Sequence, residues 1–456
     1  MQTKNGLRVS RFTHFVPVDS DFTAAFHSLN MNVVFVANEE LRRLEEQQWS
    51  TKINPQLTET LKGEKLLVLR DDNEMADYEE IQGSLSELPV AILYLLLTEQ
   101  CNFACPYCFI EGGFPVDHQP TSMTEGVAKA GIDLFAETLT QNVREVSQPR
   151  VIFYGGEPLL NVTALRFALE YSESLQDERK LPENLKLTIN TNASLVTEEI
   201  ADILADYAVA ASVSIDGTEE IHNQERVFSP SGRGTFDATV RGFRILEEAG
   251  VPVSISCTMT RTAVEQLEHI FNFFIDELGI KALGFNLLRE GSETKLKNTE
   301  AYAKKATQGL IACFKIARER GIYEDRIMRK VRAFVKKRPH LNDCAGCGQQ
   351  IVIAPTGEVG VCHGDVGQKE FFVTDTHDLD PITHPYWTEW RNRSPFSIPE
   401  CLDCIAIGSC GGGCPYQAYL DKGTIWALEE SFCTHSKLAL DFLIKDLWQQ
   451  QSAKTA

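Results

Sequence analysis

Residues 91–108 read AILYLLLTEQCNFACPYC, and this stretch decides the fold. The run AILYLLL (91–97) is apolar on both faces, as a strand buried on both sides of a parallel sheet must be. The loop that follows carries Cys101, Cys105 and Cys108. Three thiols at the C-terminal end of a buried strand lie where parallel α/β folds place their active sites. Three thiolates leave a four-iron cluster one ligand short, so one iron stays open to substrate or cofactor. The alternative is zinc, but zinc pairs come as C-x2-C with a second pair nearby, and no Cys or His lies in the nine residues after Cys108.

Working outward, further strands are expected near 150–154, 185–190, 210–215, 252–259 and 281–288. Helical patterns run over Thr124–Leu139, Val162–Leu175, Glu198–Tyr207, Phe236–Ala249 and Ala263–Leu278. Alternating strands and helices imply a parallel sheet with right-handed crossovers. Gly155-Gly156-Glu157-Pro158 follows the strand VIFY (151–154). Alone, that tetrapeptide is an ordinary strand-to-helix turn; glycines there also let a backbone approach a ligand closely.

The spacing CX3CX2C with Tyr107 before the last Cys, and GGEP after the second strand, resemble the radical S-adenosylmethionine (radical SAM) superfamily. The resemblance implies an α/β fold built on a partial (β/α)6 barrel, with SAM and one [4Fe-4S] cluster at Cys101, Cys105 and Cys108. It implies that Gly155, Gly156 and Glu157 meet the methionine amino group. Asn190 and Asn192 after the third strand, and Ser214 and Asp216 after the fourth, would line the ribose and methionine region. Arg226 stands where an arginine often meets the SAM carboxylate. For each of these a turn, cap or surface role is the alternative. His222 and Arg233 read as loop residues.

Eleven of the thirteen cysteines are clustered. Cys344 and Cys347 precede QQIVIAPTGEVGVC, in which Pro355-Thr-Gly357 makes a hairpin and Cys362 ends its second strand. Cys401, Cys404, Cys410, Cys414 and Cys433 follow. The pattern CX9-15GX4C, gap, CX2CX5CX3C, gap, C resembles the SPASM extension, which carries auxiliary four-iron clusters. Eight thiols match two fully ligated clusters; two zinc sites are the alternative. The resemblance assigns Cys344, Cys347, Cys362 and Cys414 to one cluster and Cys401, Cys404, Cys410 and Cys433 to the other. Cys257 and Cys313 lie in apolar surroundings and read as core.

The first ninety residues read as a separate unit. Strands are expected at Phe12–Val18, Phe22–Leu29 and Asn32–Ala37, helices at Glu39–Gln48 and Pro55–Leu61, and a short strand at 65–69, with the acidic 71–80 as a linker. Before a radical SAM barrel this order resembles the RiPP recognition element, a winged-helix-like domain that takes a leader peptide onto its sheet edge; a plain extension packed on the barrel is the alternative. The domains implied are 1–82 for leader binding, 83–320 for the barrel, and 321–456 for a bridging helix and a cysteine-rich SPASM domain.

Function follows from the resemblance: reductive cleavage of SAM to a 5′-deoxyadenosyl radical and oxidative modification of a ribosomally made peptide. A leader-bearing precursor peptide and an external one-electron reductant such as flavodoxin or ferredoxin are the partners implied. A sulfatase-maturing activity is the alternative, but that branch has Asp directly after the cysteine that here is Cys362. This chain has His363 there and Asp365 two residues on; either is a candidate proton acceptor. A non-enzymatic iron-sulfur electron carrier has no need of the three-cysteine loop. A formal charge of -20, from 44 Lys and Arg against 64 Asp and Glu, argues against phosphate-neutralising nucleic-acid binding. The apolar runs are too short to span a bilayer, and the N-terminus MQTKNGLRVSRF lacks the apolar core of a signal peptide, so a soluble cytoplasmic protein is expected. The basic 328–340 reads as a solvated helix face or a guide for an acidic peptide.

Overall fold

A computed structural model describes residues 6–46, 54–289 and 299–455. Its centre is a ten-stranded sheet. The six expected strands are Ile92–Thr98, Arg150–Gly155, Lys186–Thr191, Ala210–Ser214, Val253–Met259 and Ala282–Leu287. They pair in chain order, each parallel to the next, and the two-residue strand Tyr323–Glu324 adds to the last. Helices between them cover the sheet. Three begin on side-chain caps: Thr124, Asn161 and Thr197 each accept from a backbone N–H three residues on, satisfying donors that the first helical turn leaves free.

The sheet does not stop at the first barrel strand. Gln350–Ile353 pairs in parallel with Ile92–Thr98, and the antiparallel strands Val359–Gly360 and Phe372–Val373 continue beyond it. The cysteine-rich region is thus built onto the barrel's own sheet.

The N-terminal unit has a three-stranded antiparallel sheet, Thr13–Pro17, Phe22–His27 and Val33–Ala37, followed by helices Asn38–Glu46 and Pro55–Gly63. Residues 47 and 48 of the expected first helix lie outside the described residues. A strand not anticipated, Leu7–Val9, pairs with Leu67–Leu69. The acidic 71–80 is not a linker. A helix spans Met75–Gly83 because Tyr78 is buried and its hydroxyl donates to the Phe396 carbonyl at 2.6 Å; tertiary anchoring overrides the polar composition. Phe12, Leu29, Tyr78, Phe396 and Ile407 form one small core between this unit and the cysteine-rich region.

The basic stretch departs from expectation at one residue. Residues 328–336 lie on helix Asp325–Lys336, where Arg332 and Lys336 are exposed as a solvated face requires; the departure is Lys330 alone, which is buried and reaches Asp343 at 3.4 Å and the Cys410 carbonyl. No described helix is long and apolar enough to cross a membrane.

Candidate active site

The loop after Ile92–Thr98 is held from two sides. On one, Gly156 and Glu157 donate their backbone N–H groups to the Thr98 carbonyl at 2.9 Å and the Gln100 carbonyl at 2.8 Å. On the other, Ala104 donates to the Val227 carbonyl at 2.9 Å and Ser229 to the Asn102 carbonyl at 3.0 Å. The glycines answer a steric demand: a Cβ on Gly155, whose φ is +141, would overlap the Thr98 carbonyl, and one on Gly156 the Gln100 carbonyl. GGEP therefore braces the loop that carries Cys101, Cys105 and Cys108. Burial pushes the Cys101 thiol up to about 12, and Glu157, Cys108 and Cys105 add to the rise, so the three thiols stand within one another's field.

Glu157 is buried and accepts three hydrogen bonds: from the Leu159 N–H at 3.0 Å, the Thr191 hydroxyl at 2.7 Å and the Asn192 N–H at 2.7 Å. Burial raises its pKa to about 7 against those donors. Asn192 continues the tie, its amide donating to Asn102 Oδ1 at 2.9 Å inside the cysteine loop. Asn190 and Ser214 stand half-buried on their strands. Among the described residues, no side-chain hydrogen bond joins them to this network.

Asp216, fully buried, gathers a second knot. Its Oδ2 accepts from the Tyr107 hydroxyl and from Arg226 Nε at 2.7 Å, and its Oδ1 from the Thr258 N–H at 2.9 Å. The Arg226 guanidinium also lies 5.4 Å from the Tyr107 ring centroid. The Arg226 cation beside it holds Asp216 below the usual carboxylate range despite burial. Tyr107 and Arg226 thus meet through Asp216. His222, expected as a loop residue, sits on helix Glu219–Glu225, buried and lowered to about 3 by desolvation, with Nε2 3.0 Å from the Thr235 hydroxyl. Arg233 is exposed and lies over Phe228.

The other clustered thiols fall into two sets. Cys362 is raised by burial and then by Cys414 and Cys344, Cys347 by burial and then, against Arg393, by Cys344 and Cys414. Separately, Cys401 is pushed up to about 12 by burial with Cys410, Cys433 and Cys404, and Cys433 likewise with Cys410 and Cys404. Between Cys410 and Cys414 lie Gly411, Gly412 and Gly413, all with positive φ. The Cys414 sulfur caps helix Pro415–Lys422, accepting from the Gln417 N–H at 3.4 Å. Cys257 and Cys313 are buried in the barrel core. Among the described residues no three His, Cys, Asp or Glu side chains close around a single metal ion.

Between the first loop and the nearer set lies an aromatic seam. His363 stacks on Tyr94 at 4.5 Å and meets Tyr154 at 5.2 Å and Phe109 at 5.8 Å. Its Nδ1 has no partner among the described residues, and burial pushes its pKa down to about 3. Asp365, one turn on, accepts from the Phe371 N–H at 2.7 Å through Oδ2, leaves Oδ1 without a partner, and is raised to about 6 by burial. Arg289 stands 5.5 Å over Phe109 and faces the thiols of Cys414, Cys344 and Cys362.

Sequence reasoning passed over Arg289, Arg393, Glu429 and the Lys330–Asp343 pair. Nothing in their neighbours marks them; their roles arise from contacts distant in the chain. The donor chemistry fits iron-sulfur binding: three soft thiolates on one loop, and eight further clustered thiols in the cysteine-rich region.

The radical SAM superfamily profile matches residues 95–274. The radical SAM cyclopropyl synthase TigE of Paramaledivibacter caminithermalis is 22% identical over 489 residues, covering 98% of this chain and 97% of that protein. The cysteine-type anaerobic sulfatase-maturating enzyme of Clostridium perfringens is 26% identical over 351 residues, covering 72% of this chain and 89% of that enzyme. Of solved structures, native anSMEcpe with bound AdoMet and Cp18Cys peptide is similar with a TM-score of 0.64 at 19% identity, over 81% of this chain and 100% of that one. Streptococcus suis SuiB bound to precursor peptide SuiA gives 0.52 at 14% identity, over 94% and 99%. At these identities the solved structures speak to the fold.

Proposed function

On the premise that residues 95–274 are a radical SAM domain, we propose that this enzyme oxidatively modifies a ribosomally made peptide, forming a cross-link, a thioether or a related side-chain or backbone change. What carries this reading is the three-cysteine loop at the strand ends, with Tyr94, Tyr154 and His363 packed together beside Cys362, and the eight further clustered cysteines beyond. Similarity to a cyclopropyl synthase over nearly the whole chain, and a fold shared with structures holding AdoMet and peptides, support a peptide substrate.

Cys101, Cys105 and Cys108 would hold the SAM-binding [4Fe-4S] cluster, and the two sets of four the auxiliary clusters. When bound, the first cluster and SAM supply a 5′-deoxyadenosyl radical that takes a hydrogen atom from the substrate. The chain's own residues do the rest. Gly155–Glu157 and Val227–Ser229 fix the loop, Asn190, Asn192, Ser214 and Asp216 would line the ribose and methionine region, and Arg226, oriented by Asp216 beside Tyr107, would meet the SAM carboxylate. The seam excludes water, which protects a radical from quenching. Either His363, held neutral by burial, or Asp365, raised by burial, would take the proton.

Residues 1–82 would bind the leader, 83–320 form the barrel, and 321–456 the bridging helix and SPASM domain. A cytoplasmic flavodoxin or ferredoxin would supply the electron. Anaerobic reconstitution tests this: about twelve irons per chain are expected for three clusters. Replacing Cys101, Cys105 and Cys108 with Ala should remove about a third of the iron and all 5′-deoxyadenosine formation. About four irons in the parent, or persisting cleavage in the variant, would refute it.

A further inference from the structure

Arg393 is among the largest side chains fully buried in the protein. Its Nε donates to the Ile425 carbonyl at 2.8 Å, Nη2 to the Ala427 carbonyl at 3.1 Å, and Nη1 to the carbonyls of Gly412 and, at 3.5 Å, Gly413. Among the described residues none of its hydrogen bonds goes to a carboxylate. Glu429 stands within its field, the guanidinium favouring the carboxylate, but that carboxylate takes its hydrogen bond from the Cys414 N–H at 2.5 Å rather than from Arg393.

A guanidinium taken out of water costs several kcal/mol unless an opposite charge offsets it, and carbonyl dipoles do so only in part. Arg393 grips the glycine turn between Cys410 and Cys414, the segment at which the chain passes from one set of four thiols to the other. Gly412 lies two residues from Cys410 of one set and two from Cys414 of the other, so the guanidinium stands beside both. A four-iron cluster held by four thiolates is a net anion, and reduction adds one electron and no proton, so the added charge must be borne by the surroundings. Fixed positive charge therefore favours the reduced state.

We propose that Arg393 is a positioning residue that serves both auxiliary clusters as their shared counter-cation and raises the reduction potential of each. This inference rests on the ligand sets proposed above. A guanidinium suits the task because it stays charged in any surroundings while its planar fork spans several carbonyls at once.

The test uses the full chain with Cys101, Cys105 and Cys108 changed to Ala, so that only the auxiliary clusters report. Protein reconstituted anaerobically is titrated with dithionite and redox mediators while electron paramagnetic resonance follows each reduced cluster. This background itself checks the ligand sets: about eight irons and two reducible clusters are expected, and fewer would overturn those sets and this inference with them. Added to it, Arg393→Gln is expected to keep the iron and move both midpoints to lower potential, and Arg393→Lys to recover most of the shift. Iron lost from Arg393→Gln but retained by Arg393→Lys also supports the proposal, because the two differ chiefly in charge. Unmoved midpoints at full iron, a shift confined to one cluster, or equal iron loss in both variants would overturn it, the last by making Arg393 only a clamp for the glycine turn.

Discussion

Gly408 donates its backbone N–H to the carbonyl of Ser28 at 3.0 Å, so the N-terminal sheet is fastened to the loop that carries Cys401, Cys404 and Cys410. A Cβ on Gly408 would overlap that carbonyl. Arg11 adds an ion pair to Asp403 at 2.7 Å, and Phe26 and Met31 share a core with Ala406 and Cys410. The N-terminal unit is thus one wall of the second set of thiols.

Gly408→Ala should therefore loosen both sides of that contact. A cost of about 1–3 kcal/mol in unfolding free energy is expected from the forced displacement. With it should go roughly a third of the iron, while SAM cleavage persists. Gly63→Ala, where an added Cβ meets nothing within 4 Å, is the control and should change neither. Iron analysis and thermal unfolding of the two variants decide the matter; retained iron and stability in Gly408→Ala would show the contact to be dispensable.

Gly155→Ala and Gly156→Ala should act at the first site instead. Each forces the backbone of Thr98–Gln100 away from the strand end, and Gly155 adds strain at its positive φ. The expected result is at least a tenfold loss of 5′-deoxyadenosine formation, about 1.4 kcal/mol in transition-state terms, with the eight remaining clustered thiols still holding iron. Gly284→Ala, which meets nothing within 4 Å, should behave as the parent.

Asp216→Asn should leave Arg226 buried without its anion, at a cost of about 3–5 kcal/mol. Chemical denaturation checks this. Asp216 is held below the ordinary carboxylate range, so its contribution is present above that range and is lost as pH falls through its lowered value. The stability difference between parent and variant should accordingly shrink in acid.

Burial raises the Asp365 carboxyl to about 6. If it takes the substrate proton, the ratio of modified peptide to 5′-deoxyadenosine should rise as pH increases through about 6, while SAM cleavage itself does not follow. Asp365→Asn should lower product by roughly 10²–10⁴ and abolish that step in the profile. Stability runs the other way: between 3.8 and about 6 the folded chain holds a proton that the unfolded chain has lost, so the contribution present at low pH disappears as pH rises through about 6. An unchanged product ratio across the range would assign the proton to another group.

Much of this was legible in residue order. The six parallel strands announce themselves as short apolar runs separated by capped helices, and CX3CX2C falls where the first strand ends. Other features were not. That the Tyr78 helix is no linker depends on a carbonyl at Phe396, and that Lys330 is no surface charge depends on Asp343 and Cys410. His222 lies in a polar segment and is buried only because Thr235 and Asp216 close over it. Such contacts join residues across loops whose closure leaves no local periodicity to read.

The pairing of Gln350–Ile353 with Ile92–Thr98 has a consequence for biogenesis. As the chain leaves the ribosome, the strand bearing the three-cysteine loop can gain its barrel neighbour early, but its other edge must wait for a segment synthesised much later. During that interval the nascent protein presents an apolar strand edge, a template for aberrant pairing. Slow closure of this long-range contact follows from the topology. Expression in cells should therefore respond to chaperone supply and growth temperature more than iron supply alone would suggest.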